Sequence, residues 1–177
     1  SRVGADLVLN FGGGDRVTVQ SYFTYEANRV EKVAFADGTV WGAAEAAKGQ
    51  VGTAGDDVFA GLSDYANKMS GLDGNDGLYG KLLNDTIDGG AGNDTIDGGE
   101  GDDTLIGGTG NDSLNGAYGN DTYVFNKGDG QDTILDLDWT PGNVDKLQLG
   151  AGITAAGTGV SRVGADLVLN FGGGDRV

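Results

Sequence analysis

Residues 89–115 read Gly89-Gly90-Ala91-Gly92-Asn93-Asp94-Thr95-Ile96-Asp97, Gly98-Gly99-Glu100-Gly101-Asp102-Asp103-Thr104-Leu105-Ile106, Gly107-Gly108-Thr109-Gly110-Asn111-Asp112-Ser113-Leu114-Asn115. Each nine-residue block has the form G-G-x-G-x-D-x-U-x, where U is a large aliphatic residue, and the three blocks run on without a gap. The Gly/Asp part of each block reads as a turn, because glycine permits φ > 0 and close backbone approach. The remainder reads as a strand only about three residues long, with β-branched Thr95 and Thr104 beside the apolar position. One apolar residue in nine cannot build a core alone. Stacked in register, such residues form two ladders inside a flattened coil.

Six more blocks extend the pattern outward, most with falling fidelity. Gly116 to Val124 keeps Gly119 and Asp121 and carries Tyr123 at the apolar position. Gly80 to Asp88 keeps Asp85 and Ile87 but has Leu83 in place of the fourth-position glycine, and Gly71 to Tyr79 keeps Gly74, Asp76 and Leu78. Leu62 to Ser70 is poor, with Tyr65 for the glycine, Asn67 for the aspartate and one residue inserted before it; Gly52 to Ala60 restores Gly55, Asp57 and Phe59. After a two-residue insertion, Lys127 to Leu135 keeps Gly130, Asp132 and Ile134. The apolar position is therefore Phe59, Met69, Leu78, Ile87, Ile96, Leu105, Leu114, Tyr123 and Ile134. A lone Asn-Asp-Gly turn would be an ordinary solvated turn; an array of them in register is not.

This stretch resembles the nonapeptide repeats of RTX, haemolysin-type calcium-binding proteins. The resemblance implies an all-β fold, a parallel β-roll (a right-handed β-helix-like solenoid) over residues 51–135 with Ca²⁺ in its turns. In that family two nonapeptides make one coil, so residues 18 apart stack. Here Asp76 pairs with Asp94, Asp85 with Asp103, Asp94 with Asp112, and Asp103 with Asp121. Carboxylates stacked about 4.8 Å apart repel by roughly 1 kcal/mol per neighbour in water. Oxygen donors on a flexible Gly-rich backbone select Ca²⁺ over Mg²⁺ or zinc. Carried over from the family, each ion takes the second- and fourth-position carbonyls and the Asp of one turn, with the first- and third-position carbonyls and the Asp of the turn 18 residues on. One site is then Gly90, Gly92 and Asp94 with Gly107, Thr109 and Asp112; the next is Gly99, Gly101 and Asp103 with Gly116, Tyr118 and Asp121. A third is Leu72, Gly74 and Asp76 with Gly89, Ala91 and Asp94, and a fourth is Lys81, Leu83 and Asp85 with Gly98, Glu100 and Asp103. Leu83 departs from the pattern there, and Asp57, Asn67 and Asp132 are outlying candidates. The expected load is roughly four to seven Ca²⁺ per chain.

Composition agrees with cation binding. The chain has 177 residues, 27 acidic against 11 basic, and a net charge of −16. Such a chain repels nucleic acid and has no polybasic patch for an anionic membrane. Its 36 glycines against one proline (Pro141) belong to a regular repeat rather than to disorder, since 38% of residues are hydrophobic. It has no cysteine or histidine, so disulfides and Cys/His zinc sites are excluded. No apolar run approaches the roughly 18 residues of a membrane helix, and no signal peptide is read at the N-terminus.

The flanks read as β-rich capping segments, residues 1–50 and 136–177, similar to the segment that follows the nonapeptides in many RTX proteins. Leu7, Leu9 and Phe11 alternate on one face, Gly12-Gly13-Gly14-Asp15 turns the chain, Arg16 to Tyr22 and Arg29 to Phe35 read as further strands, and Asp37-Gly38 as a tight turn before Thr39-Val40-Trp41. Residues 42–48 suit two turns of helix, and a strand is expected near Val144 to Leu149 after a loop around Pro141. Asp15 and Asp175 read as hairpin turns, Asp136 and Asp138 as a solvated exit from the roll, and Trp41 and Trp139 as core or cap residues. Tyr22, Phe23 and Tyr25 form an aromatic cluster, favoured as packing over a binding surface.

Residues 1–17, SRVGADLVLNFGGGDRV, recur unchanged as 161–177. This offset of 160 residues between Ser1 and Ser161 suggests one unit of a tandem array, the alternative being an engineered duplication. No enzyme is expected, because there is no G-x-S-x-G elbow and no Walker loop, and the carboxylate spacing is accounted for by cations. The leading reading is a Ca²⁺-dependent structural repeat of a secreted bacterial RTX protein, extracellular or on the cell surface, stacked on neighbouring repeats of the same chain. It would fold on meeting Ca²⁺ after type I secretion. The alternatives are the C-terminal secretion and folding module of an RTX toxin, protease or lipase, and a ligand-binding adhesin unit.

Overall fold

The chain's computed structural model describes residues 2–3, 6–12, 15–19, 33–34, 36, 38–41 and 49–177. Strands β1 (Arg2–Val3), β2 (Asp6–Gly12) and β3 (Asp15–Val19) form an antiparallel sheet, and β4 (Val33–Ala34) pairs antiparallel with β5 (Val40–Trp41). Gly38, at φ +87°, makes the turn between these last two possible. The helix expected over 42–48, the cluster Tyr22, Phe23 and Tyr25, and the outer parts of the second and third expected strands lie outside the described residues.

From Gln50 onward the chain changes sheet at every block. The strands are β6 (Gln50–Val51), β7 (Val58–Ala60), β8 (Lys68–Asp73), β9 (Gly77–Leu82), β10 (Thr86–Ala91), β11 (Thr95–Glu100), β12 (Thr104–Thr109), β13 (Ser113–Tyr118), β14 (Thr122–Phe125), β15 (Thr133–Ile134) and β16 (Lys146–Leu149). One parallel sheet runs β16-β14-β12-β10-β8-β6 and the other β15-β13-β11-β9-β7. Two blocks therefore make one coil, and residues 18 apart stand side by side: Ile87 pairs with Leu105 and Ile96 with Leu114. The protein is an all-β solenoid, a β-roll.

The apolar position of each block points between the sheets. Met69, Ile87, Leu105 and Tyr123 line one sheet, while Phe59, Leu78, Ile96 and Leu114 line the other, and all eight are buried in one core. Ile134 and Leu147 are partly buried at the end of the core. Strands β8 to β13 each span six residues rather than the three expected, because the first three positions of the following block stay paired to the adjacent coils. The turn proper is thus only positions four to six. Two other expectations are corrected. Trp139 is 85% exposed and Trp41 is 43% exposed, so neither is a core residue. The strand expected from Val144 begins at Lys146 and extends the roll, pairing parallel with β14.

Beyond a short 3-10 turn (Ala155–Gly157), β17 (Gly159–Val163), β18 (Asp166–Gly172) and β19 (Asp175–Arg176) form an antiparallel sheet. Arg162 faces Leu167 and Val163 faces Asp166, as Arg2 faces Leu7 and Val3 faces Asp6, and both copies carry an irregularity between the Asn and the Gly of their second strand. The identical segments share one register, as their shared sequence demands. The second copy docks on the end of the roll. The Asp132 amide donates to the Arg176 carbonyl, the Arg176 amide to the Gly130 carbonyl and the Gly128 amide to Asp175, while the rings of Phe125 and Phe171 lie 5.0 Å apart.

Candidate metal centre

The sixth position of each central block is an aspartate folded inward. Asp76, Asp85, Asp94, Asp103, Asp112 and Asp121 are all at most 3% exposed. In every one, Oδ1 accepts a backbone N–H from the block one coil earlier. The Asp76 amide donates to Asp94 at 2.7 Å, Asp85 to Asp103 at 2.7 Å, Asp94 to Asp112 at 2.8 Å and Asp103 to Asp121 at 2.8 Å. The Asp57 and Asn67 amides start the two columns by donating to Asp76 and Asp85. The second oxygen, Oδ2, of all six is buried with no hydrogen-bond partner. An orphaned buried carboxylate oxygen is costly, and here the cost recurs once per block.

Backbone oxygens converge on the same places. The second- and fourth-position residues take positive φ: Gly90 at +106°, Gly92 at +134°, Gly99 at +104° and Gly101 at +129°. Their carbonyls face the next coil, those of Gly90 and Gly92 lying against the Cα of Gly108 and Gly110, where a Cβ would overlap them. The Gly107 carbonyl points the other way, and with Asp94 Oδ2 it fills the space beside Gly89. The third-position carbonyls of Ala91, Thr109 and Tyr118 also point back, each accepting the fourth-position amide of Gly74, Gly92 or Gly101. Leu72, Lys81 and Leu83 hold positive φ of 83°, 98° and 67°. Leu83 thus keeps the turn despite its side chain, with its carbonyl still against Gly101. The first-position residues Gly98 and Gly116 lie beside the carboxylates of Asp103 and Asp121. Glu100 stands exposed opposite Tyr118 in the strand register. The residues expected at the four sites therefore lie in these turns or in the strand ends that lead into them.

The three outlying candidates differ from one another. Asp132 is 7% exposed and accepts the Asp112 amide at 3.1 Å, so its two-residue insertion is absorbed outside the turn. Asp57 Oδ2 accepts from the Thr53 amide at 2.6 Å and from its hydroxyl at 2.8 Å. Asn67 replaces the charge altogether. Its Oδ1 accepts from Gln50 Nε2 and the Leu62 amide, while Nδ2 donates to the carbonyls of Leu62, Tyr65 and Gly80. The amide nitrogen occupies the place among carbonyls that is left without a donor in the later turns.

Burial pushes the carboxylates up: Asp85, Asp94 and Asp121 to about 6, and Asp103 and Asp132 to about 7, with repulsion from neighbouring aspartates adding to the shift in Asp94, Asp103, Asp121 and Asp132. Exposed Asp102 moves the other way, held down by the Asn120 amide. Desolvated carboxylates bare on one oxygen, facing carbonyl oxygens in a glycine-lined cradle, fit a hard divalent cation that takes six to eight oxygens. The donor set suits Ca²⁺ and offers nothing to a soft metal.

Sequence reasoning missed the fifth position. Asn75 Oδ1 accepts the Asn93 amide at 2.8 Å, Asn93 accepts that of Asn111 at 2.8 Å, and on the opposite edge Asn84 accepts Asp102 at 3.0 Å and Asp102 accepts Asn120 at 2.8 Å. This exposed ladder ties each coil to the next outside the carboxylates. Its signal was present in the unbroken run of Asn or Asp at that position from Asn75 to Asn120.

Comparison with known families agrees with this geometry. The model of the RTX calcium-binding nonapeptide repeat matches four overlapping stretches, residues 51–87, 70–105, 79–114 and 97–134. That of the haemolysin-type calcium binding protein related domain matches residues 6–45. No curated protein matches the chain.

Proposed function

Since the chain is an RTX repeat protein carrying calcium-binding nonapeptides, we propose that it is a Ca²⁺-switched structural link of a secreted bacterial protein, folding once exported. The observation that carries this reading is the two columns, three atoms each, of buried, partnerless Asp Oδ2. Bound Ca²⁺ would supply the positive charge that lets these carboxylates ionise while buried. The residues to hold it are the Gly90, Gly92 and Asp94 turn with Gly107, Thr109 and Asp112, and the three equivalent pairs, with Asp112 and Asp132 as a fifth. Asn67 already hydrogen-bonds the carbonyls around it, so the ladder begins after it on that edge.

Without the cation the acidic columns repel, and each block alone buries one apolar side chain, too little to hold its turn. Binding and folding are then one process. Low cytosolic Ca²⁺ leaves the chain extended for export, and Ca²⁺ outside at about millimolar levels, the range of extracellular modules, folds it. The recurrence of residues 1–17 as 161–177, in the same sheet register, supports one link of a tandem array over a single terminal module. Circular dichroism in chelator and in millimolar Ca²⁺ tests the reading. Strong β signal is expected only with Ca²⁺; the same signal in chelator at neutral pH would sink it.

A further inference from the structure

Of the six partnerless Oδ2 atoms, five face a following Gly/Asp turn. The sixth, on Asp121, has none, because the chain after Ile134 leaves the nonapeptide pattern. What stands there instead is the segment Asp136 to Asp145. Its groups take up positions that the next Gly/Asp turn holds elsewhere in the ladder. The Gly119 amide, which in Gly92 and Gly101 donates to a third-position carbonyl, donates to Asp138 Oδ2 at 3.1 Å. The Asp121 amide donates to Asp145 Oδ1 at 2.9 Å, as each earlier Asp amide does to the aspartate of the next coil. Asn120 Oδ1 accepts the Val144 amide at 3.0 Å, continuing the fifth-position ladder. Beside Gly116 the Tyr123 hydroxyl lies with Asp121 Oδ2, in the place held by the Gly107 carbonyl beside Gly89. That hydroxyl accepts the Gly116 amide at 2.7 Å and donates to Asp136 Oδ2 at 2.9 Å.

We propose that Asp121, Asp136 and Asp145 form a further divalent-cation site, of the Ca²⁺ class, built from non-repeat residues and closing the ladder at its C-terminal end. Carboxylate oxygens of the three lie within 4.8 Å of one another. Asp121 is 1% exposed and brings the buried oxygen that lacks a partner, so the cluster is not merely a solvated group of acids. Three carboxylates so close repel strongly unless a cation joins them, and oxygen ligands alone select a hard ion. The site has a structural consequence: it pins Asp145 and hence β16, which starts one residue later.

The inference rests on Ca²⁺ binding by the repeats, so its test counts ions on the full chain. Calorimetric titration with Ca²⁺ is compared for wild type and for Asp136→Asn with Asp145→Asn, both changes keeping an acceptor oxygen. The double variant is expected to bind one ion fewer, with unchanged circular dichroism at saturating Ca²⁺. An equal count in the two proteins would overturn the site, whereas a wild type binding no Ca²⁺ would overturn the function proposed above. Should the double variant lose its β signal, Asp136→Asn alone decides, because its amide oxygen still accepts from Tyr123. The weakest ion is then expected to bind at least tenfold less tightly, and an unchanged isotherm refutes the proposal.

Discussion

At residue scale, backbone angle and donor chemistry matter more than side-chain size. Leu83 is half-exposed at φ +67°, where only glycine is free of strain. Leu83→Gly is expected to stabilise the Ca²⁺-loaded protein by about 1 kcal/mol, read from a denaturant midpoint. Gly92→Ala meets the reverse condition, at φ +134° with its Cβ against the Gly74 carbonyl, and should cost at least about 2 kcal/mol. Asn67 is the instructive exception among the inward polar residues. Asn67→Asp removes the amide that donates to the carbonyls of Leu62, Tyr65 and Gly80 and to Asp85 Oδ1, and leaves a bare carboxylate oxygen in its place. The variant is expected to be less stable in chelator and to bind one more Ca²⁺ than wild type at saturation, counted by calorimetry. The sequence marked Asn67 only as a degraded aspartate; that its amide satisfies the surrounding carbonyls became visible from partners as distant as Gly80.

At element scale, a strand of the roll has one inward residue that matters for the core. Leu105 is fully buried, while its neighbour Ile106 is only half-buried on the outer face. Leu105→Ala should cost about 2–5 kcal/mol and Ile106→Ala less than half as much, measured by chemical unfolding in saturating Ca²⁺. Under the proposed coupling of folding to binding, Leu105→Ala should also raise the Ca²⁺ concentration at half-folding. The nine-residue period placed these side chains correctly from Phe59 to Tyr123. It did not give strand length. Whether the first three positions of a block pair with the next coil depends on how the coils stack, and the pattern alone treats those glycines as turn.

For the whole molecule, the proposed coupling of folding to Ca²⁺ makes the roll sensitive to the balance between protons and Ca²⁺. Buried Asp85, Asp94, Asp103, Asp121 and Asp132 have folded pKa values of about 6 to 7, above the unfolded value near 3.9. Their protonation therefore stabilises the metal-free fold fully below about pH 4, and that contribution is lost as pH rises through 6 and 7. In chelator, β signal should be greater at pH 4 than at pH 8; the opposite order would refute this linkage. Apparent Ca²⁺ affinity should rise from pH 5 to 8, since the cation needs the ionised carboxylates. The repeat by itself determined the inward apolar ladders and an all-oxygen donor set, because these follow from a period and from local residue chemistry; the roll and the stacking of aspartates 18 apart came with the resemblance to RTX repeats that the same residues carry. Only the tertiary structure decided where the ladder ends. Asn67 and the segment from Asp136 to Asp145 match no period, and their roles come from groups that meet across a coil.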